Sequence, residues 1–189
     1  MDAVAGIFTA FGLSASAGLN AYIPLLVISL LSRFTNLITL SAPWNALENW
    51  WIIGLLFFLT LVEFFADKFP AVNHINDLIQ TFIRPIAGAL LFAASAKVLT
   101  DIHPLISMAA GLLVAGGVHA TKSLAVRPAV TATTAGAGNV PVSILEDIVS
   151  TVMSILSIII PILIGVVLIL FTSWIIWIFW RRSNAAKAV

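Results

Sequence analysis

Residues 63 to 84 hold Glu63, Asp67, Lys68, His74, Asp77, Gln80 and Arg84, and residues 119 to 147 hold His119, Lys122, Arg127, Asn139, Glu146 and Asp147. These are acids, bases and amides of the kind that bind ions, relay protons or pair with one another. They stand in a chain that is otherwise apolar, where an ionisable side chain needs a partner, water or a function. On an insertion scale each Asp, Lys or Arg at mid-bilayer costs about 2.5 to 3.5 kcal/mol, so nine charges facing lipid would cost about 25 kcal/mol. The groups must therefore meet in a protein-lined cavity or lie at the interface. Glu63 and Asp67 are four apart and share a helix face, and Asp77, Thr81 and Arg84 share another.

The elements that must hold these residues are membrane helices. The chain has 189 residues, 61% hydrophobic and 9% charged, with a mean hydropathy of +1.12. A soluble domain carries about 25% charged residues. The expected fold is an all-α polytopic membrane helix bundle of about five spanning helices, forming a single integral membrane domain over residues 1–189. There is no cysteine, which removes thiol catalysis and thiolate metal sites, and no basic tract supports nucleic-acid binding. Met1-Asp2 offers no basic leader, so the Ala15 to Ala17 stretch is read as part of a retained helix and not as a cleavage site.

Segment one is expected over residues 3–32, with Ala10, Ser14 and Gly18 forming a packing face and Pro24 a kink. Its centre, Ser14 to Pro24, is the first candidate broken segment. Residues 34–49 read as a loop, with Trp44, Trp50 and Trp51 suited to an interfacial belt. Segment two runs from Trp50 to Asp67. A turn is expected over Phe69 to Asn76, then segment three to Ala96, where Pro85 disturbs the helix after Arg84. Thr100 to Pro104 reads as a tight loop, and segment four runs from His103 to Leu124. From Arg127 to Pro141 the apolar pattern fails with little charge, which predicts broken or re-entrant backbone within the protein. Segment five starts near Ser143 and carries no charge from Ile148 through Trp180. It reads as one long helix kinked at Pro161, leaving at Trp174, Trp177, Trp180 and Arg181-Arg182.

Thr9 to Pro24 and Thr131 to Pro141 echo each other, each a small-residue run leading to Asn and a nearby Pro. Such echoes occur in transporters built from inverted repeats with discontinuous helices.

Several motifs resemble those of a bacterial membrane family, the domain-of-unknown-function family numbered 4126. They are Gly18-Leu-Asn-Ala-Tyr-Ile-Pro24, Glu63-Phe-Phe-Ala-Asp-Lys68 with Pro70, and Asp77-Leu-Ile-Gln-Thr-Phe-Ile-Arg-Pro85 with Ala87-Gly88-Ala89. Gly117-Val-His-Ala-Thr-Lys122, Arg127, Gly138-Asn139 and Ser143 to Asp147 complete the resemblance, which covers nearly the whole chain. The departures are Asn139-Val-Pro141, where the family places proline directly after asparagine, and Asn73, where Asp is common. The resemblance implies the fold and no established activity.

The favoured function is a small transporter or channel for an ion or small polar solute. Its candidate binding residues are Asn20, Tyr22, Glu63, Asp67, Asp77, Gln80, Arg84, His119, Lys122, Arg127, Thr133, Thr134, Asn139, Glu146 and Asp147. Five acids against four bases leaves cation and anion both open. One alternative is lipid handling or an intramembrane enzyme, with Arg84, Lys122 and Arg127 on a lipid phosphate and His119 as acid or base. Another is a structural bundle whose charges are ion-paired. Nucleophile and zinc motifs are missing, so no catalytic residue, metal or cofactor is expected. The expected surroundings are the lipid bilayer, with a homo-oligomer as an option, in a bacterial inner membrane. Five passes put the termini on opposite faces, and the count of basic residues favours a cytoplasmic C-terminus.

Overall fold

The computed structural model describes residues 3–68, 70–95 and 103–187, and every regular element among them is helical. The helices are α1 (Ala3–Leu19), α2 (Tyr22–Phe34), α3 (Trp50–Ala66), α4 (Pro70–Ser95), α5 (Pro104–Thr121), α6 (Arg127–Thr134), α7 (Asn139–Ile159) and α8 (Pro161–Lys187). A short 3-10 turn, Trp44–Glu48, sits in the loop before α3, and a π turn, Lys122–Val126, joins α5 to α6. Three stretches are long and apolar enough to cross a membrane: Asn76–Ser95, Pro104–Thr134 and Asn139–Ile159. Shorter apolar helices surround them.

α1 is the hub and packs against α4, α5, α7 and α8. The expected small-residue face makes this possible. A Cβ on Gly18 would lie 2.5 Å from the Val118 side chain, and the Ser14 hydroxyl donates to the Gly88 carbonyl at 2.9 Å. α4 and α5 close on each other through glycine as well, since a Cβ on Gly88 would sit 2.3 Å from that of Ala115. Gaps this small leave room only for backbone hydrogen, which is why helices approach closely at such positions.

The pairings also give direction. Ser16 meets Ser150 and Ser154, Thr9 meets Ser157, and Phe8 meets Gly165, so α1 runs against α7 and the start of α8. Arg84 meets His119 and Asp77 meets Arg127, so α4 runs against α5 and α6. Gly18 lies against Val118 and Leu19 against Lys122, so α1 and α5 run together. Glu63 on α3 meets Arg84 while Asp67 meets Asn76, so α3 descends against α4. The start of α2 meets Glu63 and its end meets Glu48, so α2 runs against α3.

Residues 3–34 are therefore not one kinked pass. They form two helices of opposite direction with a tip at Asn20 and Ala21. The break precedes Pro24 because Pro24 occupies the first turn of α2, where a missing N–H costs nothing. The Asn20 side chain instead caps α2, accepting from the N–H groups of Tyr22 at 3.1 Å and Ile23 at 3.0 Å.

Three other expectations change. α4 begins at Pro70, in place of a turn to Asn76, and continues through Pro85 without a break. Arg127 to Pro141 is helix, then a turn, then helix, with Ala135 and Gly136 at positive φ of 51° and 89°. Thr131, Thr133, Thr134 and Ala135 are exposed, so this segment does not dip into the protein. Trp44 packs on the apolar core, whereas Trp50 and Trp51 are exposed as a belt would require. The break at Ile160–Pro161 matches the expected kink. The expected loop at Thr100 to Pro104 lies largely outside the described residues.

Candidate functional site

The tip of the α1–α2 hairpin frees backbone groups at both of its helix ends, and charged side chains take them up. The Ala21 N–H donates to Glu63 Oε2 at 3.2 Å, and Lys122 Nζ donates to the Leu19 carbonyl at 3.1 Å. An acid at a helix start and a base at a helix end both suit the helix dipole. Asn20 Nδ2 donates to Asp147 Oδ1 at 3.0 Å, which ties the tip to α7.

From this tip the charges extend as one cluster. Arg84 and Glu63 are wholly buried and meet through Nη2 and Oε1 at 2.8 Å, with Nε at 3.3 Å from the same oxygen. Arg84 Nη1 lies 3.1 Å from His119 Nδ1. Arginine only donates, so Nδ1 accepts and the imidazole is neutral with its hydrogen on Nε2. That hydrogen points at Thr81 Oγ1, 3.2 Å away, and Thr81 in turn donates to the Asp77 carbonyl.

Asp67 caps the end of α3 and is the meeting point. Its Oδ2 is 3.1 Å from Arg127, 3.8 Å from Arg84 and 3.9 Å from Lys122, while Asn76 donates to Oδ1 at 2.7 Å. Lys122 pairs with Glu146 at 2.8 Å, and Arg127 reaches Glu146 and Asp77 at 3.4 Å each. Lys68 holds Asp147 at 3.3 Å.

The π turn explains how Lys122 and Arg127 share this cluster. Five residues apart on an α-helix, they would point about 140° away from each other. The wider turn, closed by the Arg127 N–H on the Lys122 carbonyl, brings both side chains to one side. Pro128, which lacks an N–H and crowds the preceding turn, follows directly.

The profile of a family described as a domain of unknown function (DUF4126) matches residues 7–181. The chain belongs to that family. No curated protein and no solved structure matches it.

In this DUF4126 chain the expected residues divide into two groups. Asn20, Glu63, Asp67, Asp77, Arg84, His119, Lys122, Arg127, Glu146 and Asp147 come together, and Gln80 is buried one turn from Asp77. Tyr22 contributes its backbone N–H to the tip and lies half-buried. Thr133 does not join: it is exposed and donates to carbonyls of its own helix. Thr134 closes the turn before α7 by accepting from the Gly138 N–H. Asn139 pairs with Thr131 and lines the same cavity as Asp67, Asp77 and Arg127.

Sequence reading missed Asn76 and the serines. Ser143, Asp147, Ser150, Ser154 and Ser157 fall at i, i+4, i+7, i+11 and i+14, one polar stripe on an apolar helix, which was the available signal. The upper stripe locks α7 to α1: Ser16 Oγ lies 2.8 Å from Ser150 Oγ and 2.7 Å from Ser154 Oγ.

Two cavities touch the cluster. One, of about 710 Å³, is lined by Asp67, Lys68, Asp77, Arg127, Thr131 and Asn139 among others. The second, of about 560 Å³, is a groove between α5 and α7 walled by Val114, Val118, Val142, Leu145 and Val149, with Lys122 and Glu146 at its polar edge. Among the described residues no group of three or more acids and histidines could hold a metal ion.

Proposed function

We propose that this protein is a small membrane transporter or channel for an ion or small polar solute. The observation that carries the reading is the cavity of about 710 Å³ whose wall includes Asp67, Asp77 and Arg127, three members of the buried charge cluster. A purely structural ion-pair core calls for a closed site, because attraction between charges is weaker wherever water enters. A cavity beside them gives a solute both polar contacts and room. The hairpin tip adds a discontinuous helix whose ends face the charges, an arrangement suited to ion sites at membrane depth.

In the membrane, α1–α2 enters and returns on one face, α3 descends beside it to the depth of its tip, and α4, α5 through α6, and α7 pass across. Arg33, Arg181 and Arg182 favour the cytoplasm for the faces that carry them. Reporter fusions at each terminus test this, and a C-terminal fusion active outside the cytoplasm would refute the orientation.

The function itself is tested by flux into proteoliposomes, screening protons, alkali cations, halides and phosphate. Asp77→Asn and the double variant Glu63→Leu, Arg84→Met, which removes both halves of the buried pair, serve as controls. The reading expects flux of at least one ion in the parent and its loss in folded variants. Tight liposomes with folded protein and no flux of any kind would sink it.

The apolar groove supports a second reading, lipid handling. Its valine walls suit an acyl chain, and Lys122 at its edge suits a phosphate. Lipid that co-purifies with the parent and is lost in Val118→Trp would favour it.

A further inference from the structure

The balance of donors and acceptors along α4 deepens the transport reading, on which this inference rests. Each cation lining the larger cavity already holds carboxylates: Arg127 contacts Asp67, Asp77 and Glu146, and Lys68 holds Asp147. Acceptors are treated differently. Asp77 uses Oδ2 for Arg127, while its buried Oδ1 has no hydrogen-bond partner. Gln80, 2% exposed, turns its amide to the Tyr22 side chain, and its buried Oε1 also lacks a partner. Residues three apart are neighbours on a helix surface, so these two oxygens lie one turn apart on α4. Asp77 stands in the cavity wall and Gln80 a turn deeper, between Asn76 and Arg84.

Buried acceptors without donors are costly and rare in folded proteins. Among the described residues the cluster carries five carboxylates, four basic side chains and His119, a formal balance of one negative charge. A ligand that brings positive charge satisfies both shortfalls, and an anion satisfies neither.

We infer that the cavity takes a small monovalent cation, ammonium or an alkali ion, which Asp77 receives with the Gln80 oxygen as a second ligand. The charged groups around this site are Arg127 from α6, Asp67 from the end of α3, Glu63 from α3, Arg84 from α4 itself, and Lys122 and Glu146 across the cluster. His119 faces Thr81, which donates to the Asp77 backbone carbonyl.

The test is the thermal midpoint of the full chain in detergent at constant ionic strength. It is measured at fixed pH in lithium, sodium, potassium and ammonium salts against choline. Chloride, nitrate and phosphate are compared with gluconate. The variants are Asp77→Asn and Gln80→Leu. Leucine fills the same space without the oxygen, and because it also removes the contact with Tyr22 the readout is the cation dependence of the midpoint and not its absolute value.

The inference expects a saturable rise with one of these cations that is indifferent to the anion. Apparent affinity should fall at least tenfold in Asp77→Asn and in Gln80→Leu. Dependence on an anion alone, on neither ion, or a cation effect unchanged in both variants would overturn it. Binding is read here without flux, so cation binding without transport would refute the transport reading and leave this one standing. Anion flux would do the reverse.

Discussion

Arg84 and Glu63 show how the single residue is constrained here. Both are wholly buried, and each is the other's closest partner at 2.8 Å. Removing one half of a buried pair leaves a naked charge, at about 3 to 5 kcal/mol. Arg84→Met alone should therefore lose most of the folded yield in detergent. The double variant Glu63→Leu, Arg84→Met should recover much of the stability, by thermal unfolding followed through tryptophan fluorescence. A double variant worse than the sum of the singles would show that the pair acts through other partners. At this scale the sequence was informative: apart from His74, whose side chain lies outside the described ones, the ionisable residues it singled out within the two stretches lie in the cluster. It could not show that Thr133 points away, because helix phase across the π turn decides that. The threonine repeat of residues 131–134 looked like a ligand run and is largely helix surface.

At the level of elements, glycine and proline decide where helices approach and where their hydrogen bonding is interrupted. Gly88→Ala puts a Cβ 2.3 Å from that of Ala115, so α4 and α5 must separate. Overpacking of this kind costs about 1 to 3 kcal/mol. Gly54 has nothing within 4 Å of its Cβ position, and Gly54→Ala should be neutral or gain up to about 1 kcal/mol from helix propensity. Unfolding midpoints of the two variants separate packing from propensity, and equal midpoints would contradict the close contact.

Pro161 gives a second case. Lacking an N–H, it leaves the Ser157 carbonyl without its helical donor, and Thr9 Oγ1 supplies one at 2.8 Å. Thr9→Val should cost about 1 to 3 kcal/mol. In a Pro161→Ala background the same change should cost much less, because the restored N–H serves the carbonyl. Additive effects in that cycle would sink the explanation. The sequence placed the breaks near Pro24 and Pro161 and the small-residue face of α1. It missed the reversal at Asn20, because a cap and a kink leave the same residues on the page and only tertiary pairings give direction. The echo of Asn20 and Asn139 falls on two helix starts, those of α2 and α7.

For the whole molecule, the outer surface is as telling as the interior. Large apolar side chains such as Phe82, Leu113, Leu145 and Leu170 are exposed around the bundle, while Arg84, Glu63 and Lys122 are buried within it. Water would not tolerate that inversion, and a bilayer satisfies it. Composition made this legible from the start. How the polar groups converge was not legible, since it depends on helix direction and on the π turn. The remaining question is whether the cluster meets water through the cavity at residues Thr131 and Asn139. The chain has no cysteine, so single introduced thiols report cleanly. The most direct measurement is labelling of Thr131→Cys, Asn139→Cys, Phe82→Cys and Leu113→Cys in sealed membranes with a membrane-impermeant thiol reagent. The account predicts that the first two react from one and the same face and the last two stay protected. Protection of Thr131→Cys and Asn139→Cys alongside reaction at Phe82→Cys or Leu113→Cys would contradict it.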